Sequence, residues 1–403
     1  MSRRRRPGEG CVSEYATAAG RRWLISYRVT DPLTGRSKAK LQRSFTTQRA
    51  AAAELRKRLV QVDAGTYAEP SKQALAAYLA EWIKGLRLAA STVASYRRNV
   101  EQHVVPRLGT VPLDRLTALQ LTGLYRDLEA TGRRDSRSGG LSARTVRYIH
   151  TILHGALRSA VLDGRLAVNP ADRANPPSAK QAAAPEMHTW DDQELRTFLD
   201  WSSASGDELH AAWLLLAMTG VRRGELLGLR WGDVDLERGV VSVRRSLGVV
   251  RERGLGERLV VGSPKSGKAR TIDVDPRTAA ALRAHRAAVA GISLVLAKDD
   301  APVIGNPDGT PRHPERFSRE FARRLERCRR EVGERGPSMI RLHDLRHTHA
   351  TLMLRSGEHP KVVSERLGHS KVSITLDVYS HVSPTLQREA ASRLAALVYG
   401  GQR

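Results

Sequence analysis

Between residues 71 and 175 apolar positions recur with the 3.6-residue period of amphipathic helices. The runs LAAYLAEWIKGL, STVASYRRNVEQHVVPRL, TALQLTGLYRDLEATG and SARTVRYIHTILHGALRSAVLDG predict four of them. Ser91, Thr117 and Ser142 stand at or near the N-termini, and Gly132 and Gly164 near C-termini. Arginines and a lysine fall on the polar faces, and Leu, Val, Ile and Tyr on the others. Tyr96, Tyr125 and Tyr148 lie at helical spacing from apolar neighbours and read as packing residues.

On either side the pattern changes. Three β-forming segments at 11–17, 22–29 and 39–46, separated by turn signals such as Asp31-Pro32 and Thr34-Gly35, precede a helix from about Thr47 to Val62. The stretch 172–187, DRANPPSAKQAAAPEM, has no period and reads as a linker. From Thr189 the helical runs DDQELRTFLDWSS and ELHAAWLLLAMTG follow, with Gly220 as the stop of the second and RGELLGL as a short helix beyond it. Next come three β-type runs, DVDLERGVVSVRR, RLVVGSPK and KARTIDV. A helix capped by Asp275-Pro276, a strongly basic helix over 313–332 and an amphipathic closing run, SPTLQREAASRLAALV, complete the chain. The expected fold class is mainly α with small β elements (α+β), divided into 1–65, 71–175, a linker over 176–188, and 189–403.

Charge adds a partner to this picture. The chain carries 67 Lys and Arg against 42 Asp and Glu, a formal net charge of +25. Such an excess attracts a polyanion at long range, with an attraction that weakens in salt. Residues 1–65 alone hold 15 basic and 5 acidic residues, so a small basic sheet on one helix could dock into a DNA groove; a solvated basic tail is the competing reading. Cys11 and Cys328 stand alone, without disulfide or zinc spacing, which predicts an intracellular, cytoplasmic protein. MSRRRRPGEG lacks the apolar core of a signal peptide, and the apolar run Ala211–Met218 is well short of the ~20 residues of a membrane span. Neither secretion nor membrane insertion is expected.

Residues 341–381 concentrate the candidate chemistry: RLHDLRHTHATLMLRSGEHPKVVSERLGHSKVSITLDVYSH. His343 and Arg346, three apart, project from one helical face; His369 follows a Leu-Gly turn, and Tyr379 comes ten residues later. A tyrosine hydroxyl is a weak nucleophile at neutral pH, and needs a base or a site that stabilises charge on the group it attacks. Upstream, TGVRRGELLGLRW supplies Arg222, and SPKSGKARTIDV supplies Lys265 in a Pro-Lys-Ser-Gly turn. Arg223 competes with Arg222 and Lys268 with Lys265. His347, His349 and His381 read as packing or DNA-backbone residues. HDLRH over 343–347 has the histidine spacing of a zinc hydrolase helix, but Asp344 replaces the glutamate base and an arginine adjoins it, so no metal is expected.

Six positions in this order, over about 160 residues, resemble the catalytic domain of the tyrosine recombinase (phage integrase) family. The resemblance implies a catalytic domain over 189–403, an arm-type DNA-binding domain over 1–65 and a helical core-DNA-binding domain over 71–175, for which a dimerisation bundle is the alternative. It implies Tyr379 as nucleophile, Lys265 in a β-hairpin turn as general acid, Arg222, Arg346, His343 and His369 as donors to the scissile phosphate, and Glu225 as their support, with no cofactor and no metal. The implied activity is that of an integrase cutting and rejoining strands through a 3′-phosphotyrosyl link. Its implied partners are double-stranded attachment-site DNA and three further copies of the chain in a homotetramer on that DNA, with room for an excisionase or a DNA-bending protein. A non-catalytic DNA-binding regulator and a type IB-like topoisomerase are alternatives, and the intact set of six argues against the regulator.

Overall fold

The computed structural model describes residues 10–18, 20–30, 37–64, 72–134, 139–183, 187–252, 256–369, 371–373, 375–376, 392, 394–396 and 398–399. The chain divides into two compact units, residues 1–184 and 185–403.

In the first unit, β1 (Cys11–Thr17), β2 (Gly20–Thr30) and β3 (Ser37–Phe45) form an antiparallel sheet in that order. Ile25 and Tyr27 alternate onto one face of β2 and pack on Ala51 and Leu55, four apart along α1 (Gln48–Asp63). The Thr47 hydroxyl caps α1 by accepting from Ala50 N–H at 3.2 Å.

A separate helical core follows, from α2 (Leu75–Lys84), α3 (Ala90–Asn99), α4 (Val105–Leu108), α5 (Ala118–Thr131) and α6 (Ala143–Leu162). Thr117 and Gln120 form a capping box at α5, and Ser142 caps α6. Tyr125 is fully buried and Tyr96 stacks on Trp82, whereas Tyr148 is 38% exposed and meets Tyr96 edge-on. The run expected as one helix over 91–108 contains a π turn at 100–104. Pro106 has no N–H to give to the preceding turn, and Val105 N–H reaches back to Val100 O across the widened loop. Part of the stretch read as a linker is fastened to the bundle: Arg147 Nη1 donates to Pro177 O at 2.7 Å, and Asn175 N–H to Thr122 Oγ1 at 3.0 Å.

The second unit is built on an aromatic core of Trp190, Phe198, Trp213, Phe317 and Phe321. These rings come from α7 (Asp192–Ala204), α8 (His210–Thr219) and the turn-spaced apolar face of the helix Pro314–Val332, with Trp190 just ahead of α7. α8 is apolar all round and buried from Ala211 to Ala217, as a central helix must be. After α9 (Arg223–Leu227) come β4 (Val234–Asp235), β5 (Val240–Val243), β6 (Ser246–Glu252), β7 (Gly256–Gly262) and β8 (Arg270–Asp273). They form two sheets, β4-β5-β8 and β6-β7. The turn bearing Lys265 therefore links strands of different sheets, where the resemblance implies a hairpin. β6, absent from the sequence reading, takes β7 as its partner and leaves β8 to pair with β5. Among the described residues the unit continues with α10 (Pro276–Ile292), α11 (Pro314–Val332), α12 (Asp344–Arg355) and α13 (Pro360–Leu367), and the closing run SPTLQREAASRLAALV lies largely outside the described residues. Among the described residues no helix is long and apolar enough to cross a membrane.

Candidate active site

α8 ends at Gly220 in the left-handed conformation, φ +62°. This stop turns the chain so that Arg222 occupies the N-cap of α9 in an extended conformation. Arg222 N–H donates to Glu225 Oε2 at 2.9 Å, and its Nη1 donates to Glu225 Oε1 at 2.9 Å. Glu225, fully buried, also accepts both terminal nitrogens of Arg270, at 3.1 and 2.6 Å. Burial alone would raise the Glu225 carboxyl; the hydrogen bonds and charge of Arg270, with those of Arg222, outweigh it and hold it below the usual carboxylate range. Arg223 faces away onto α11, donating to Ser318 Oγ at 2.7 Å, which separates it from Arg222.

Arg346 on α12 is 4% exposed. It donates through Nη1 to Gly220 O at 2.7 Å and through Nη2 to Leu367 O at 2.8 Å. Burial first, and then the Arg222 charge, pull it down to about 9, so it stays protonated at neutral pH. One residue beyond Leu367, Gly368 O accepts from Arg222 Nη2 at 3.4 Å. The next residue is His369. The turn 367–369 thus gathers both guanidinium groups and an imidazole. Among the described residues neither Arg222 nor Arg346 uses its whole fork, so each retains donors for an oxyanion.

Four histidines, His369 among them, belong to the surroundings. His369 Nδ1 lies 2.8 Å from the hydroxyl of the buried Thr375. Burial, with the charges of Arg346 and Arg222, pushes His369 down to about 4. A neutral ring whose Nδ1 accepts from Thr375 presents Nε2–H as a donor. His343 stands at the N-cap position of α12, on the exposed side, with its ring edge-on to His347 at 5.2 Å; partial desolvation first, then His347 and Arg346, lower it from its ordinary value. His349 is buried beneath α8, its Nδ1 2.9 Å from Ala217 O, and is a packing residue.

Lys265 is exposed at the second position of the turn 264–267, closed by Gly267 N–H donating to Pro264 O at 2.8 Å, and Lys268 is exposed just after it. Tyr379 and His381 lie outside the described residues. Of the residues singled out from sequence, the structure brings together Arg222, Glu225, Arg346 and the backbone before His369; Arg270 joins them unforeseen. Its position at the head of a strand, two residues after Lys268, was the available signal.

Guanidinium forks and neutral imidazole donors around one turn suit a phosphoryl group whose equatorial oxygens gain charge, the arrangement of a phosphodiester transferase. Residues 189–385 match the phage integrase family. That region belongs to the phage integrase family of tyrosine-type site-specific DNA recombinases. The chain is 28% identical over 269 residues to a XerC-like tyrosine recombinase of Caldanaerobacter subterraneus subsp. tengcongensis, a match covering 63% of this chain and 66% of that one. Its fold is similar to the Tn1549 transposon integrase solved in complex with transposon right end DNA, with TM-score 0.63 and 22% identity over 80% of this chain and 100% of that one. It is also similar to a lambda integrase from a tetramer bound to a Holliday junction, with TM-score 0.51 and 18% identity over 94% and 96% of the two chains.

Proposed function

We propose that this chain is the integrase of a phage or another mobile element, cutting and rejoining attachment-site DNA through a 3′-phosphotyrosyl intermediate on Tyr379. The observation that carries the reading is the convergence of Arg222 and Arg346 on adjacent carbonyls of the turn that leads into His369. Tyr379 releases its phenolic proton to solvent as its oxygen attacks phosphorus, the bond from phosphorus to the 5′ oxygen breaks, and Lys265 gives that oxygen its proton. Arg222 and Arg346 neutralise the non-bridging oxygens, and His343 and His369 donate to the remaining lone pairs. Because the phosphotyrosyl link conserves the bond energy, a 5′-hydroxyl from a second duplex reverses the step and joins the strands.

Exchange between two duplexes requires four strand cuts, hence four nucleophiles, which favours a homotetramer on DNA, the state in which the lambda integrase structure was solved. In this reading residues 1–65 bind arm-type sites and 71–175 bind core DNA; the net charge of +25 suits both roles. The protein would work beside DNA in the cytoplasm, and an excisionase or a DNA-bending protein would set the direction of the reaction. The test is a nicked duplex built on the repeat flanking the gene, incubated with the full chain in EDTA. A covalent complex that survives denaturation is expected. Failure to trap any complex on that duplex would overturn the reading.

A further inference from the structure

Among the described residues Arg222 and Arg346 keep donors uncommitted, whereas Arg270 spends its fork inside the protein. Its Nη1 and Nη2 donate to the two oxygens of Glu225 at 3.1 and 2.6 Å, and its Nε donates to Arg366 O at 2.9 Å. The side chain is 10% exposed. Its side chain also lies close to Gly368, where an added Cβ would meet Arg270 Cδ and Nη1 at 3.0 Å. Gly368 is left-handed, φ +67°, and ends α13 one residue before His369. One side chain therefore touches the carboxylate that holds Arg222, the end of α13, and the glycine whose carbonyl accepts from Arg222. It stands at the head of β8, five residues after Lys265.

We propose that Arg270 is a positioning residue for DNA cleavage: by forking onto Glu225 and bonding Arg366 O at once, it fixes the carboxylate that aims Arg222 at the scissile phosphate. This rests on the function proposed above and goes a step beyond it. A lysine cannot replace it, because a point charge on a flexible stem cannot satisfy both carboxylate oxygens and a carbonyl in one plane. With the clamp loosened, the Glu225 carboxylate is no longer fixed, and the Arg222 guanidinium that it holds at 2.9 Å moves with it out of line with the phosphate.

The experiment compares single-turnover cleavage by the full chain and by its Arg270→Lys variant on two nicked duplexes, one with a normal scissile phosphate and one with a methylphosphonate there. Thermal unfolding and DNA affinity are measured alongside. Methylphosphonate lacks one charged oxygen, so it asks less of Arg222. The expected result is a slowing of about 100-fold on phosphate, the cost of one mis-set oxyanion donor, that shrinks at least tenfold on methylphosphonate while DNA affinity holds. Equal slowing on both duplexes, or none, overturns the proposal and leaves the function standing. No adduct from the unaltered chain on either duplex would instead overturn the function, and this inference with it. Should Arg270→Lys fail to fold, Arg270→Gln, which removes the charge and leaves Glu225 bonded to Arg222, takes its place, and the same ratio of rates decides.

Discussion

Arg222 and Glu225 hold each other twice, once through the backbone N–H of Arg222 and once through its Nη1, both at 2.9 Å. A single carboxylate thus caps α9 and orients the guanidinium that precedes it, while its other face takes the fork of Arg270. The local backbone and the site are one construction, and disturbing either disturbs both.

Glu225→Ala should therefore cost stability as well as cleavage. It leaves Arg270, nearly buried, without its counter-charge. Breaking such a pair costs roughly 3–5 kcal/mol, or on the order of 10 °C in Tm for a domain of this size. Calorimetry of the variant would show it, and an unchanged Tm would mean that Glu225 does not neutralise Arg270.

Arg222→Lys and Arg346→Lys test the oxyanion donors themselves. Each should lower the single-turnover cleavage rate by about 100- to 1,000-fold, the cost of one donor, and leave DNA affinity by fluorescence anisotropy within a few fold. Affinity lost in step with rate would make them DNA-binding residues only.

Gly220→Ala should damage the same site from behind. The residue is left-handed, and a Cβ there would meet Leu367 Cδ2 at 2.5 Å and His349 Cδ2 at 2.7 Å. Backbone strain and overpacking together cost about 3 kcal/mol. Because Gly220 O accepts from Arg346, cleavage should fall along with Tm; a variant with both unchanged would contradict the packing described.

His349 sets a pH dependence. Burial, reinforced by Arg366, takes it from an ordinary value of 6.5 down to about 4. The unfolded chain then binds the proton first, so the stability from its neutral form is full above pH 6.5 and drains away as pH falls towards 4. Between pH 7 and pH 5 the unaltered protein should lose about 2 kcal/mol more than a His349→Gln variant, measured by urea unfolding. Equal losses would show that His349 does not titrate in this window.

Local signals made much of this molecule legible. Thr-Gly-Val-Arg marks a helix stop and the residue after it, and His343 and Arg346 are set by one turn of α12. What sequence could not show depends on contacts across the fold. Arg270 reads as an ordinary strand residue, since its partner Glu225 lies 45 positions back. β6 is a short run, SLGVVRE, whose pairing with β7 re-routes β8 to β5 and changes the turn of Lys265 from a hairpin to a crossing between sheets. The π turn at 100–104 keeps helical periodicity on both sides, so the apolar pattern passes through it unmarked.

The account rests on Tyr379 as the attacking group, and the most direct measurement is the position of the covalent bond. The trapped DNA complex, digested with nuclease and trypsin, is read by tandem mass spectrometry. The account predicts a nucleotide remnant on Tyr379 within the peptide 372–388, and no adduct from Tyr379→Phe protein. A remnant on any other residue, or an adduct that persists in the phenylalanine variant, would contradict it.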